Sequence, residues 1–153
     1  MSLLEKLKQL GLTLPPAPKP AGSYVPVVRT GSLLFVSGQL PMRDGTPAYQ
    51  GKVGGNLTLE EGREAAQLCM LNILSALVGH GVSLATIRRA VKITGYVQSA
   101  PDFHDQSKVI NAASDLLVEV LGEAGRHSRA AVGAVALPLN AAVEIEAVFE
   151  VAD

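Results

Sequence analysis

From Ala141 to Val151 every odd position is apolar (Ala141, Val143, Ile145, Ala147, Phe149, Val151), whereas Glu144, Glu146 and Glu150 share the even face. A period of two predicts a strand with one face in a core and one face wet. A second alternation from Ile87 to Val97 sets Ile87, Val91, Ile93 and Val97 against Arg88, Lys92, Thr94 and Tyr96. Shorter apolar runs at Tyr24–Thr30 and Ser32–Ser37, parted by Gly31, predict a hairpin, and Ala130–Val135 a further strand. Residues 41 to 57, rich in Gly and Pro, predict a long loop.

Two stretches have helical spacing instead. Thr58-Leu59-Glu60-Glu61 forms a capping box, followed by an apolar stripe through Ala66, Cys69, Ile73 and Leu77 that ends near Gly79 and Gly81. Ser99 or Asp102 is the expected cap of a second helix. Its stripe runs through Phe103, Val109 or Ile110, Ala113, Leu116 or Leu117, and Val120, and Gly122 ends it. Leu3, Leu4, Leu7 and Leu10 also have helical spacing, and Pro15, Pro16, Pro18 and Pro20 then require an extended connector. Residues 1–21 thus read as an arm, and residues 1–153 as one domain with that arm.

The order β-β-α-β-α-β-β predicts an α+β sandwich of one mixed sheet with two helices on one face. The other face would expose Val148, Tyr96 and their neighbours over several hundred Å², roughly the limit for a soluble monomer. Self-association is the expected cover.

The composition fits a folded chain: 48% of residues are hydrophobic and 18% charged. Thirteen basic and fourteen acidic residues leave a net charge of −1, which gives no general attraction to nucleic acid or anionic membranes. The basic cluster Arg88, Arg89 and Lys92 lacks the interleaved aromatic residues of a single-strand binder. No uncharged apolar run approaches the ~20 residues that span a bilayer, and the start lacks the apolar core of a signal peptide, so a cytoplasmic protein is expected.

The candidate chemistry lies near the C-terminus. Arg129 follows Gly122 and Gly125, whose freedom at positive φ would expose backbone amides, and it opens a strand of small residues that lets a ligand approach. Its guanidinium is suited to grip a small carboxylate bidentately. Glu144 or Glu146, if half-buried, would have the raised pKa of a group that orients or deprotonates water, and Glu144 is nearer if the turn at Leu137–Asn140 is short. His80, His104 and His127 have no metal-ligand spacing, so no metal is expected. Cys69, within the apolar stripe, reads as a buried thiol and not as a nucleophile. Gly51-Lys52-Val53-Gly54-Gly55 lacks the order of a phosphate loop.

Tyr24-Val25, the run Leu34-Phe35-Val36-Ser37-Gly38-Gln39-Leu40-Pro41, Asn72, Asp102-Phe103, Asn111, and Arg129 through Leu137-Pro138 to Glu144-Ile145-Glu146-Ala147 together resemble the YjgF/Rid family of reactive-intermediate (imine) deaminases over about residues 22–152. The resemblance implies a chorismate-mutase-like fold assembled as a homotrimer, with three clefts between subunits and no cofactor. It implies that Arg129 holds a substrate carboxylate and Glu144 helps to place the attacking water. It also implies that Tyr24, Ser37 and Gly38 line the cleft, with Asn111 at a matching helix position. Ala131 stands where cysteine or threonine is common, so only its backbone can contribute. The activity so implied is hydrolysis of 2-imino or 2-enamino acids to 2-oxo acids and ammonia. A non-catalytic trimer that binds small carboxylates is the alternative, and RNA cleavage a third reading disfavoured by the charge balance.

Overall fold

In the computed structural model, which describes residues 1–19 and 22–153, a five-stranded sheet of order β1-β2-β7-β5-β6 carries the chain's main helices on one face. The strands are β1 (Val27–Thr30), β2 (Leu33–Gln39), β5 (Ile87–Gln98), β6 (Ser128–Ala134) and β7 (Val143–Val151). All neighbours are antiparallel except β5 and β6, which run parallel because α3 (Gln106–Leu121) crosses over between them. The long loop contains a small hairpin, β3 (Met42–Arg43) with β4 (Thr46–Pro47). This is the expected α+β chorismate-mutase-like arrangement of a mixed sheet with helices on one side.

Helix α2 (Leu59–Gly79) starts at the expected capping box, with the Glu61 amide donating to Thr58 Oγ1 at 3.1 Å and the Thr58 amide to Glu61 Oε1 at 3.0 Å. Its central turns, from Leu68 to Leu77, are buried throughout. Cys69 is fully buried with its thiol facing the Val143 carbonyl at 3.6 Å. Burial, and then the Glu144 carboxylate, push that thiol well above its ordinary value, which suits packing and not nucleophilic attack.

The last strand follows the expected alternation, with Val143, Ile145, Ala147, Phe149 and Val151 in the core. The β5 pattern differs at one position. Irregular pairing between Ala90 and Lys92 makes a bulge, so Ala90 takes the core place and Val91 stays partly exposed. Beyond the bulge Ile93 and Val97 face the core as expected. Helix α3 buries Val109, Ile110, Ala113, Leu116, Leu117 and Val120, but Asp105 occupies its cap position, not Ser99 or Asp102. The Ser99 hydroxyl donates instead to the Val97 carbonyl at 2.7 Å. Gly122 ends the helix at φ 64°, a left-handed conformation that costs glycine least.

The N-terminal arm folds back onto the helices. Leu3 and Leu7 of α1 (Leu3–Gln9) join the main core, and Lys6 Nζ donates to the Val120 carbonyl at 3.3 Å. Leu4 and Leu10 remain exposed. The connector carries no helix or strand from Leu12 to Lys19, and the Ser75 hydroxyl holds the Pro15 carbonyl. Pro20, also expected in this connector, lies outside the described residues.

Candidate active site

Arg129 lies on β6, an edge strand, in register with Ile93 of β5. Ile93 belongs to the core, so Arg129 points to the helix side of the sheet. There Nη1 donates to Asn111 Oδ1 at 2.7 Å and to Ser114 Oγ at 3.2 Å. Asn111 and Ser114 are three apart on α3, which places both on the face turned toward β6. Ala131 follows on the same side, opposite Gly95. Gly125 is not among the positive-φ glycines, so its expected role in exposing amides is replaced by another. A side chain there would collide with the Leu117 carbonyl, and the glycine lets the turn lie directly on the end of α3.

Glu144 occupies the other side. It stands on β7 beside Tyr96, on the face away from the helices, and lines a cleft of about 380 Å³ with Tyr24, Pro26, Gly38, Gln39, Leu40, Met42, Pro138 and Leu139, reached also by Pro18 and Lys19 of the arm. Burial, and then the neighbouring Glu146 carboxylate, raise the pKa of Glu144 above the ordinary glutamate value. Glu146 is exposed and receives the Tyr96 hydroxyl at 3.4 Å. Of the two glutamates, Glu144 is the half-buried one. Residues 135–142 join β6 to β7, with Leu139 and Asn140 at φ 57° and 58°, and the register sets Glu146 one row and Glu144 three rows from Arg129, so within the chain Glu144 is not the nearer of the two glutamates to Arg129. Gln98, nearly fully buried, holds this turn by accepting the Leu137 amide at 2.7 Å and donating to Asn140 Oδ1 at 2.8 Å.

A bulge in β2 separates two expected neighbours. Pairing runs from Val36–Ala147 to Gln39–Ile145, so Ser37 and Gly38 together face the single Glu146. Gly38 joins Tyr24 and Glu144, whereas Ser37 lines the adjoining depression with Lys92, Thr94 and Glu146, and donates to the Val25 carbonyl at 2.7 Å. A Cβ at Gly38 would strike Glu144 Oε1 and lie 3.1 Å from its Cδ. Gly38→Ala is therefore expected to leave the thermal midpoint within a few degrees of wild type, since a flexible side chain can yield, but to displace the carboxylate and lower kcat about tenfold or more. Melting curves and steady-state kinetics of the variant check both parts.

Within the chain Arg129 and Glu144 do not meet. Their rows on the sheet are three residues apart, with two strand spacings between them, or roughly 10 Å along and roughly 10 Å across. Their side chains also leave opposite faces. Asn111 joins Arg129, while Tyr24 and Gly38 join Glu144. Sequence reasoning did not single out Ser114 or the role of His127, whose Nε2 lies 2.9 Å from Ser114 Oγ and whose Nδ1 lies 2.6 Å from the Gly125 carbonyl. The i, i+3 spacing of Asn111 and Ser114 was the available signal.

The fold is that of a chorismate-mutase-like protein, with a cation at one sheet edge and an acidic cleft on the opposite face. The family described as "YjgF/chorismate mutase-like, putative endoribonuclease" matches residues 5–151, and the chain belongs to this YjgF/RidA family. The match begins at Glu5, within α1, and so reaches further toward the N-terminus than the expected span of residues 22–152. The chain is 45% identical over 145 residues to protein TCP17 of Trypanosoma cruzi, covering 94% of this chain and 91% of that one. It is similar to the crystal structure of Atu1372 from Agrobacterium tumefaciens, with TM-score 0.91 and 47% identity over 98% of this chain and 92% of that chain. A 28% identical relative, covering 90% of this chain and 92% of its own length, is the 2-iminobutanoate/2-iminopropanoate deaminase of Dermatophagoides farinae. Imine or enamine deamination is thus supported at the level of the family. No helix is long and apolar enough to cross a membrane among the described residues.

Proposed function

We propose that the protein hydrolyses 2-imino or 2-enamino acids to 2-oxo acids and ammonia, in clefts where Arg129 of one protomer faces Glu144 of the next. The observation that carries this reading is the separation of the two half-sites. A cationic group at an edge strand and a desolvated carboxylate on the opposite face can serve one small substrate only across a subunit boundary. The uncovered sheet face supplies the means of assembly: Val28, Phe35 and Val132 are 52%, 45% and 44% exposed along it. A homotrimer that buries this face brings each edge strand against a neighbour's cleft.

The chemistry then needs mainly position and charge. Arg129 fixes the substrate carboxylate, which aligns the protonated imine carbon against a water near Glu144. Glu144 takes a proton from that water as its oxygen bonds to the carbon, and returns a proton to the nitrogen. The C–N bond of the resulting carbinolammonium then breaks, its electron pair leaving on ammonia, while the hydroxyl proton passes to Glu144 and on to solvent, and the 2-oxo acid remains. Tyr24 and Gly38 shape the acidic half of the cleft, Ser37 its margin, and Asn111 steadies the arginine. Ala131 offers only backbone there. The reading requires no metal or cofactor.

The assay generates imines in situ from several amino acids with an amino-acid oxidase, and follows their decay with and without the protein. Acceleration is the expected result. Saturable binding of a 2-oxo acid without acceleration would instead point to a non-catalytic carboxylate-binding protein, the reading that Ala131 leaves open.

A further inference from the structure

The guanidinium of Arg129 is held by one nitrogen. Nη1 carries two hydrogens, and both are engaged, one by Asn111 and one by Ser114. The Nε and Nη2 donors have no hydrogen-bond partner among the described residues. Those two lie along one edge of the planar group, and that edge matches the spacing of a carboxylate. Whichever groups fix Nη1 therefore decide which edge is offered to a ligand.

Ser114 can serve Arg129 only as an acceptor, so its own hydrogen must go elsewhere. It has a partner in His127 Nε2 at 2.9 Å. The tautomer follows from the other side of the ring: Nδ1 faces the Gly125 carbonyl at 2.6 Å, which can only accept, so Nδ1 carries the hydrogen. In the neutral ring Nε2 is then an acceptor, the Ser114 hydroxyl donates to it, and the Ser114 lone pairs turn to Arg129. Gly125 is placed by its close approach to Leu117, which a side chain would block. The chain of contacts thus runs from the end of α3 through Gly125, His127 and Ser114 to Arg129.

We propose that His127 and Ser114 are positioning residues for Arg129, orienting the guanidinium so that its Nε–Nη2 edge receives the ligand carboxylate. The proposal rests on the reading of Arg129 as the carboxylate ligand. It adds that this ligand works at full strength only with the serine hydroxyl aimed by the imidazole. Neither residue touches the substrate, and Arg129 itself is kept, so their loss falls first on carboxylate affinity and much less on the alignment that the bond-making step needs.

Calorimetric titration with pyruvate, on the whole protein, tests the inference beside steady-state KM and kcat. Ser114→Ala and His127→Ala are each expected to weaken pyruvate and raise KM roughly tenfold with kcat within about twofold of wild type. Ser114→Thr, which keeps the hydroxyl, restores most of the affinity. Ser114→Cys, near-isosteric but a poor acceptor, behaves like the alanine variant and serves if that variant folds badly. In an Arg129→Lys background Ser114→Ala has no further effect, because an ammonium has no edge to orient. Unchanged pyruvate affinity in folded Ser114 and His127 variants, with Arg129→Ala abolishing binding, overturns this inference alone. An equal loss from Ser114→Ala in the Arg129→Lys background overturns it too. Unchanged affinity in Arg129→Ala overturns the underlying assignment of the carboxylate site.

Discussion

Arg129→Ala is expected to lower kcat/KM for a 2-imino acid by about 10²- to 10³-fold, the cost of removing one partner of a desolvated charge pair. The loss falls on binding and alignment together, since the substrate carboxylate is the handle that sets the imine carbon against water. Arg129→Lys recovers only part, because an ammonium keeps the charge and loses the planar fork. Folding is expected to survive. Arg129 is partly exposed, and its removal frees Asn111 and Ser114, themselves partly exposed, to bond with solvent. Single-turnover measurements separate the weakened binding from slower chemistry, and retained activity in Arg129→Ala would contradict the assignment.

Glu144→Gln is expected to act on the other half of the site, lowering kcat by about 10²- to 10³-fold with KM nearly unchanged. The amide keeps the volume between Gly38 and the turn at Leu137–Asn140 but cannot take a proton. In the wild type kcat rises with pH as Glu144 ionises, over a window above the ordinary glutamate range, because burial and then Glu146 raise its pKa. That limb disappears in the variant. The sign for stability is opposite: the folded state holds the Glu144 proton more tightly than the unfolded chain. Wild-type stability therefore falls as pH rises from the ordinary glutamate value through the raised one. Relative to wild type, Glu144→Gln gains stability above that window and loses the gain below it. Denaturation at several pH values, with the pH profile of kcat, reads both effects.

Much of this arrangement is written in the alternation of side chains. The even positions of β7 place Glu144 and Glu146 on the face away from Ile145 and Phe149, and the stripe of α3 fixes which side faces the sheet. What the pattern hides is set by bulges and by packing between distant segments. One extra residue near Val91 moves Ala90 into the core, and another at Ser37–Gly38 sends those neighbours to different depressions. Neither leaves a mark in a simple period of two. The arm has the composition of an appendage, yet Leu3 and Leu7 lie in the core because α3 and the turn at Leu84–Thr86 leave an apolar surface for them. Arg129 and Asn111 stood out in the sequence, but their contact, and the part of Ser114 in it, did not. Asn111 and Ser114 meet it only because β6 returns parallel to β5, and His127 reads from sequence as one of three scattered histidines.

Mixing two inactive variants tests the proposed sharing of a cleft between subunits most directly. Arg129→Ala and Glu144→Ala proteins, unfolded together and refolded at equal ratio, form mixed assemblies in which about one cleft in four combines an intact Arg129 with an intact Glu144 from its neighbour. The account predicts that activity returns to about a quarter of the wild-type level in the mixture, while each variant refolded alone stays inactive. A mixture as inactive as its components, with mixed assemblies confirmed by mass, would place both residues' action within single protomers and contradict it.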